Sequence, residues 1–159
     1  MTTKHPSILV LERFLPYRLS ILSNRISGIL SNTYKNKFAL SVNEWRIMAM
    51  LGEHPNASAD EVSTKIQIEK SIVSRALKNL LLRRLVNRVV ETQDRRRHNL
   101  SLSSTGLDIY NQMVPVSYQY EEKLLTCFTQ QEQMMFDTLS DKLYRHAEKL
   151  DLESEMPKA

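Results

Sequence analysis

Midway along the chain the spacing of apolar residues switches from a helical period to alternation, and then back again. Two short segments, 59–66 and 69–83, separated only by Gln67-Ile68, place apolar residues three and four apart. After Leu85, Val86, Arg88 and Val90 alternate with Asn87 and Val89, and His98–Leu102 reads polar then apolar over Asn99, Leu100, Ser101 and Leu102, around a polar turn at Glu91–Arg97. A period of 3.6 lays one face of a helix on a core, and a period of two lays one face of a strand there. Two short helices followed by a β-hairpin predict a winged helix-turn-helix, within a fold that is mainly α with a minor β component.

The flanks of that unit are helical. Ser41-Val42-Asn43-Glu44, Ser58-Ala59-Asp60-Glu61 and Thr129-Gln130-Gln131-Glu132 each fit the capping box, in which the hydroxyl and the glutamate satisfy each other's backbone amides. Helices are therefore expected over 42–51, from 59 and from 130 to about Leu150, with another opening at Ser103 or Ser104 and running to about Cys127, kinked or interrupted at Pro115. A first long helix is expected from Pro16 to Tyr34, after a shorter helical lead-in over Ser7–Phe14. Leu15, Leu19, Leu22, Ile26 and Ile29 form a 4-3-4-3 seam on it, and Phe136, Leu139, Leu143 and Leu150 form one on the last helix. The tail 151–159 is polar and expected to fray.

Composition removes several classes. At 159 residues, 42% of them hydrophobic and 25% charged, the chain is expected to be one soluble domain spanning 1–159. Its apolar runs are too short for a membrane span, and Met1–Pro6 lead into no signal-type segment. One cysteine, Cys127, excludes an internal disulfide and suits a reducing cytoplasm. The three glycines, Gly28, Gly52 and Gly106, are too dispersed to cradle a nucleotide phosphate. No nucleophile–base set, paired carboxylates or metal-ligand spacing emerges, and His5, His54, His98 and His146 are scattered, so neither an enzyme nor a cofactor is expected.

Positive charge is concentrated. Between Lys70 and His98 stand Lys70, Arg75, Lys78, Arg83, Arg84, Arg88, Arg95, Arg96 and Arg97, opposed only by Glu91 and Asp94, while the rest of the chain is net acidic. Clustered Lys and Arg favour a polyanion through phosphate neutralisation and counterion release. On the second short helix Val73, Ala76, Leu77, Leu80 and Leu81 make the core face, and Lys70, Ser71, Ser74, Arg75 and Lys78 face away. Short hydroxyls beside an Arg suit base edges, with Arg bidentate to guanine, and Lys78 suits phosphate. At the hairpin tip, Asp94 is spaced to hold a guanidinium and aim Arg95, Arg96 or Arg97 outward, toward a narrow minor groove.

Leu40–Arg46, Lys70-Ser71-Ile72-Val73-Ser74-Arg75 and Asp94–Gly106, with its Asp-x-Arg and Leu-x-Leu-Ser-x-x-Gly pattern, resemble the multiple-antibiotic-resistance regulator (MarR) family. The resemblance extends from about Pro16 to Leu150. It implies a dimeric bacterial transcription regulator, usually a repressor released from a palindromic DNA operator by a small molecule or by oxidation. It further implies dimerisation helices over 7–35 and 104–150, a DNA-binding lobe over 42–102, and Arg96 as the wing arginine held by Asp94. Two residues depart from the family pattern. Arg84 stands where a glycine often closes the reader helix, so a less sharply capped end is expected, and Glu69 replaces a frequent aspartate.

Members of this family often bind aromatic carboxylates or phenols beside the dimer helices. The residues here that would suit such an effector are Tyr17, Arg18, Ser23, Asn24 and Ser27 on the first long helix, with Trp45 and Arg46 on the next. The alternative is that Arg46 simply pairs within the protein or snorkels to solvent. Cys127, with no basic neighbour to activate it, is expected to be a packing residue rather than a redox sensor. The competing reading is a winged helix used as a protein-docking module; it needs no basic tip, and Arg95–Arg97 argue against it.

Overall fold

All three capping boxes form. In the computed structural model, which describes residues 8–90 and 98–155, the backbone amides of Ser41, Ser58 and Thr129 donate to the carboxylates of Glu44, Glu61 and Glu132 at 2.7, 2.6 and 2.8 Å. The glutamate amides donate back to the hydroxyls at 3.2–3.3 Å. These boxes open α2 (Val42–Glu53), α3 (Ala59–Ile66) and α6 (Gln130–Glu155). The other elements are α1 (Leu15–Phe38), α4 (Lys70–Leu82), β1 (Val86–Val90), β2 (His98–Leu102) and α5 (Ser104–Leu125). The strands pair antiparallel in the register Val86 with Leu102 and Val90 with His98. Among the described residues no helix is long and apolar enough to cross a membrane.

Residues up to Ser117 form one compact unit and those from Tyr118 another. The first holds the core. Tyr34, Leu40, Ile47, Met48, Leu51, Val62, Val73 and Leu80 are all but fully buried, and Val86, Leu100 and Met113 close over them. Each such aliphatic side chain stabilises the fold by about 1.5–3 kcal/mol. Of the five residues assigned to the core face of α4, four are buried, and Leu81 packs at the margin. In the second unit Gln133 Nε2 donates to the carbonyls of Leu125 and Phe128 and closes the turn into α6, where the rings of Phe128 and Phe136 stack at 5.8 Å.

Several expectations need correction. The lead-in over Ser7–Phe14 is not an α-helix; its described part holds a single 3-10 turn, Leu11–Arg13. So short a segment is a marginal helix, and Ile8, Leu9, Val10 and Leu11 are exposed rather than packed. Helix α1 continues past Tyr34 to Phe38, because Tyr34 and Phe38, one turn apart, both enter the core. Helix α5 is not interrupted at Pro115, which lies exposed and removes one backbone bond from a helix otherwise continuous. Cys127 is exposed, with its thiol against the Leu124 carbonyl, and does not pack.

The end of α4 differs most. Arg84 adopts the left-handed conformation at φ 54°, and the Leu85 amide donates to the Leu80 carbonyl at 2.9 Å. That is a complete Schellman closure without glycine, at a strain of about 1–2 kcal/mol. The Arg84 carbonyl then accepts from Ser103 Oγ at 2.6 Å. The helix end is sharply capped after all.

Candidate nucleic-acid interface

The helix-turn-helix is fixed by its turn. Gln67 takes the left-handed conformation after α3, its side chain donates to the Thr64 carbonyl, and Ser63 Oγ donates to the Ile68 carbonyl at 2.6 Å. Helix α4 then crosses α2 and α3 with Val73, Ala76, Leu77 and Leu80 inward. Lys70, Ser71, Ser74, Arg75 and Lys78 are all exposed on its outer face.

Two stripes divide that face. Lys70, Ser74 and Lys78, spaced four apart, line an open groove of about 1060 Å³ that Asn56, Asp60 and Arg88 complete. Ser71 and Arg75 form the second stripe, where Arg75 Nε donates to the Ser71 carbonyl at 3.4 Å. Lys70 is not free, since its ammonium meets the Asp60 carboxylate at 2.8 Å. Both groups are about three-quarters exposed, so the pair is weak and phosphate can replace the carboxylate. Asp94, Arg95, Arg96 and Arg97 lie outside the described residues; the strands that lead into and out of their segment are in place.

Arg83 leaves the basic cluster. Its Nη1 and Nη2 donate to the carbonyls of Ala39 and Phe38, both at 2.8 Å, at the C-terminus of α1. Arg88, counted in the sequence only as charge, joins the groove because β1 puts it on the same face as Val86. The alternation of Val86, Arg88 and Val90 held that signal. A bridge between Ala57 and Leu100, with the Leu100 amide donating to the Ala57 carbonyl at 2.8 Å, ties the hairpin to the segment before α3. A single paired residue leaves no periodicity to find.

The residues assigned to an effector fall into two groups. Ser27, Trp45 and Arg46 come together: Arg46 Nη2 donates to Ser27 Oγ at 3.1 Å, and its guanidinium lies 5.8 Å from the Trp45 ring. The Trp45 ring meets Tyr34 edge-on at 5.4 Å, and its Nε1–H is buried without an acceptor. Tyr34 donates to Ser117 Oγ, which donates in turn to the Met113 carbonyl. Burial raises the Tyr34 pKa, and the bond to Ser117 partly offsets that rise. Tyr17 and Arg18 are not brought to this cluster; they lie nine or ten residues before Ser27, ~15 Å along the axis, exposed, and Asn24 is exposed one turn before it. Among the described residues no three His, Cys, Asp or Glu side chains are grouped to hold a metal.

Residues 40–98 match the sequence model of the MarR family. No curated protein matches the chain. Among solved structures, a MarR/EmrR family transcriptional regulator from Acinetobacter sp. ADP1 is similar at a TM-score of 0.81 and 23% identity, covering 89% of this chain and 99% of its own. A MarR protein from Peptoclostridium difficile gives 0.81 and 18%, covering 95% and 100%. Streptococcus pneumoniae FabT, solved in complex with DNA, gives 0.71 and 24%, covering 89% and 99%. The chain therefore carries the MarR-family segment over residues 40–98 within the winged-helix fold of MarR-family transcriptional regulators.

Proposed function

We propose that the protein is a sequence-specific regulator of transcription that binds duplex DNA as a homodimer, with α4 in the major groove and the β1–β2 hairpin beside the backbone. The observation that carries this reading is the outer face of α4, where Ser71, Ser74 and Arg75 stand exposed above a buried apolar face and between basic neighbours. Arg75 reads bases, Lys78 meets phosphate, and Arg96, held by Asp94, enters the minor groove. Arg75→Ala is expected to cost roughly 1–3 kcal/mol on the preferred site and to relax its sequence preference. Lys78→Ala should weaken all duplexes alike and make the log–log salt slope shallower by about one. Equal losses on preferred and random duplexes for both variants would contradict these roles.

Dimerisation is read from the two seams. Leu15, Leu19, Leu22 and Ile29 on α1, and Phe136, Leu139, Leu143 and Leu150 on α6, are between 43% and 56% exposed in the single chain. Monomers rarely leave so much apolar surface in contiguous stripes, and a second copy supplies matching ones. Sedimentation equilibrium should give twice the 18.5 kDa chain mass, and Leu22→Glu should shift it toward one chain. A wild-type mass of one chain at micromolar concentration would rule the dimer out.

Release from DNA by a small aromatic acid is supported by Arg46 and by the unfilled Nε1–H donor of Trp45. A benzoate or cinnamate series should raise the melting temperature of the wild type and not of Arg46→Ala, which removes the carboxylate partner. No shift with any member of the series would count against this switch.

A further inference from the structure

Two helices of the first unit end at the same place. Helix α1 closes with Ala39 in the left-handed conformation at φ 53°, and Leu40 drops directly into the core. Helix α4 closes with Arg83 as its C-cap and Arg84 left-handed, and Leu85 likewise enters the core. The Arg83 guanidinium spans the two ends, donating through Nη1 to Ala39 O and through Nη2 to Phe38 O, both at 2.8 Å. These carbonyls sit at the negative end of the α1 dipole, where a cation is favoured. The planar fork presents two pre-organised donors to two successive carbonyls, a geometry that lysine's flexible point charge does not fix.

We propose that Arg83 is a positioning residue, a strut that sets the angle and distance between α1 and the reader helix α4. The proposal rests on the reading of the chain as a DNA-binding dimer, in which α1 carries a dimer seam and α4 the base contacts. The joint then fixes how far each reader helix stands from the dimer axis, and so which half-site spacing fits. Arg83 faces no base in this role. Lys35 and Lys37, in the last turn of α1, are exposed and leave the same carbonyls to Arg83.

The test uses the full chain with Cys127→Ser, comparing Arg83 with Arg83→Gln and Arg83→Lys. Binding is measured on the selected operator and on versions whose half-sites are moved by one and two base pairs. The wild type should discriminate among the spacings, Arg83→Gln should lose about tenfold or more of that discrimination while keeping its affinity for random duplex, and Arg83→Lys should fall between. Unchanged discrimination in both variants would overturn the strut, as would a loss shared equally by random duplex. If Arg83→Gln does not fold, the intermediate loss in Arg83→Lys decides the question.

A second measurement needs no DNA. Nitroxides at Asn36→Cys on α1 and Asn79→Cys on α4, diluted in unlabelled protein, should give a narrow distance distribution with Arg83 and a broadened one with Arg83→Gln. Identical distributions would overturn the strut. A wild type that prefers no duplex would refute the DNA reading instead, and the label distances would then decide the strut alone.

Discussion

Gly106→Ala is expected to lower stability by about 3 kcal/mol, a fall in Tm of roughly 6–12 °C for a chain of this size. The cause is the Leu85 carbonyl, whose oxygen would lie 1.9 Å from the new methyl carbon. That carbonyl is pinned where it is, because it accepts the Ser103 amide at 3.0 Å directly after the closure of α4. The Gly106 amide in turn donates to Ser103 Oγ at 2.9 Å and caps α5. Neither backbone can withdraw without giving up a buried hydrogen bond. Gly52→Ala offers the comparison: its methyl would meet the ring of Tyr110, a side chain able to rotate, so a smaller loss is expected. Thermal melts of the two variants check both statements, and a Gly106→Ala protein melting like the wild type would show that the α4–hairpin–α5 junction is looser than described.

The second large effect is expected at the hairpin tip. Replacing Arg95, Arg96 and Arg97 together by alanine should weaken operator binding by about 10²-fold and make the salt slope shallower by roughly two to three. The three arginines lie in sequence between β1 and β2, and the circular dichroism spectrum of the triple variant should match the wild type. Asp94→Ala should lose less, since all three arginines remain in place in the sequence. An unaltered salt slope in the triple variant would show that the tip does not touch the nucleic acid.

The fold was legible where local chemistry decides it. Capping boxes placed three helix starts, and the change of period after Leu85 placed the two strands of the hairpin. Boundaries set by the core were not legible: Phe38 extends α1 because it fills space beside Tyr34, and no local residue announces that. The candidate site divides the same way. The exposed face of α4 follows from its period alone, whereas the removal of Arg83 from the basic cluster follows from two carbonyls more than forty residues earlier. Lys70 is engaged similarly by Asp60, which the sequence places on another helix. Arg84 shows the limit of a family pattern, since an arginine closes the helix where a glycine was the expected residue.

Whether this chain reads a DNA sequence is decided by selecting bound fragments from the source genome and titrating salt on the best of them. The expected result is a recovered palindrome with half-site centres about 10 base pairs apart and a steep negative log–log salt slope. Fragments recovered without a shared sequence, or no binding after unfolding and refolding to remove any carried ligand, would contradict it.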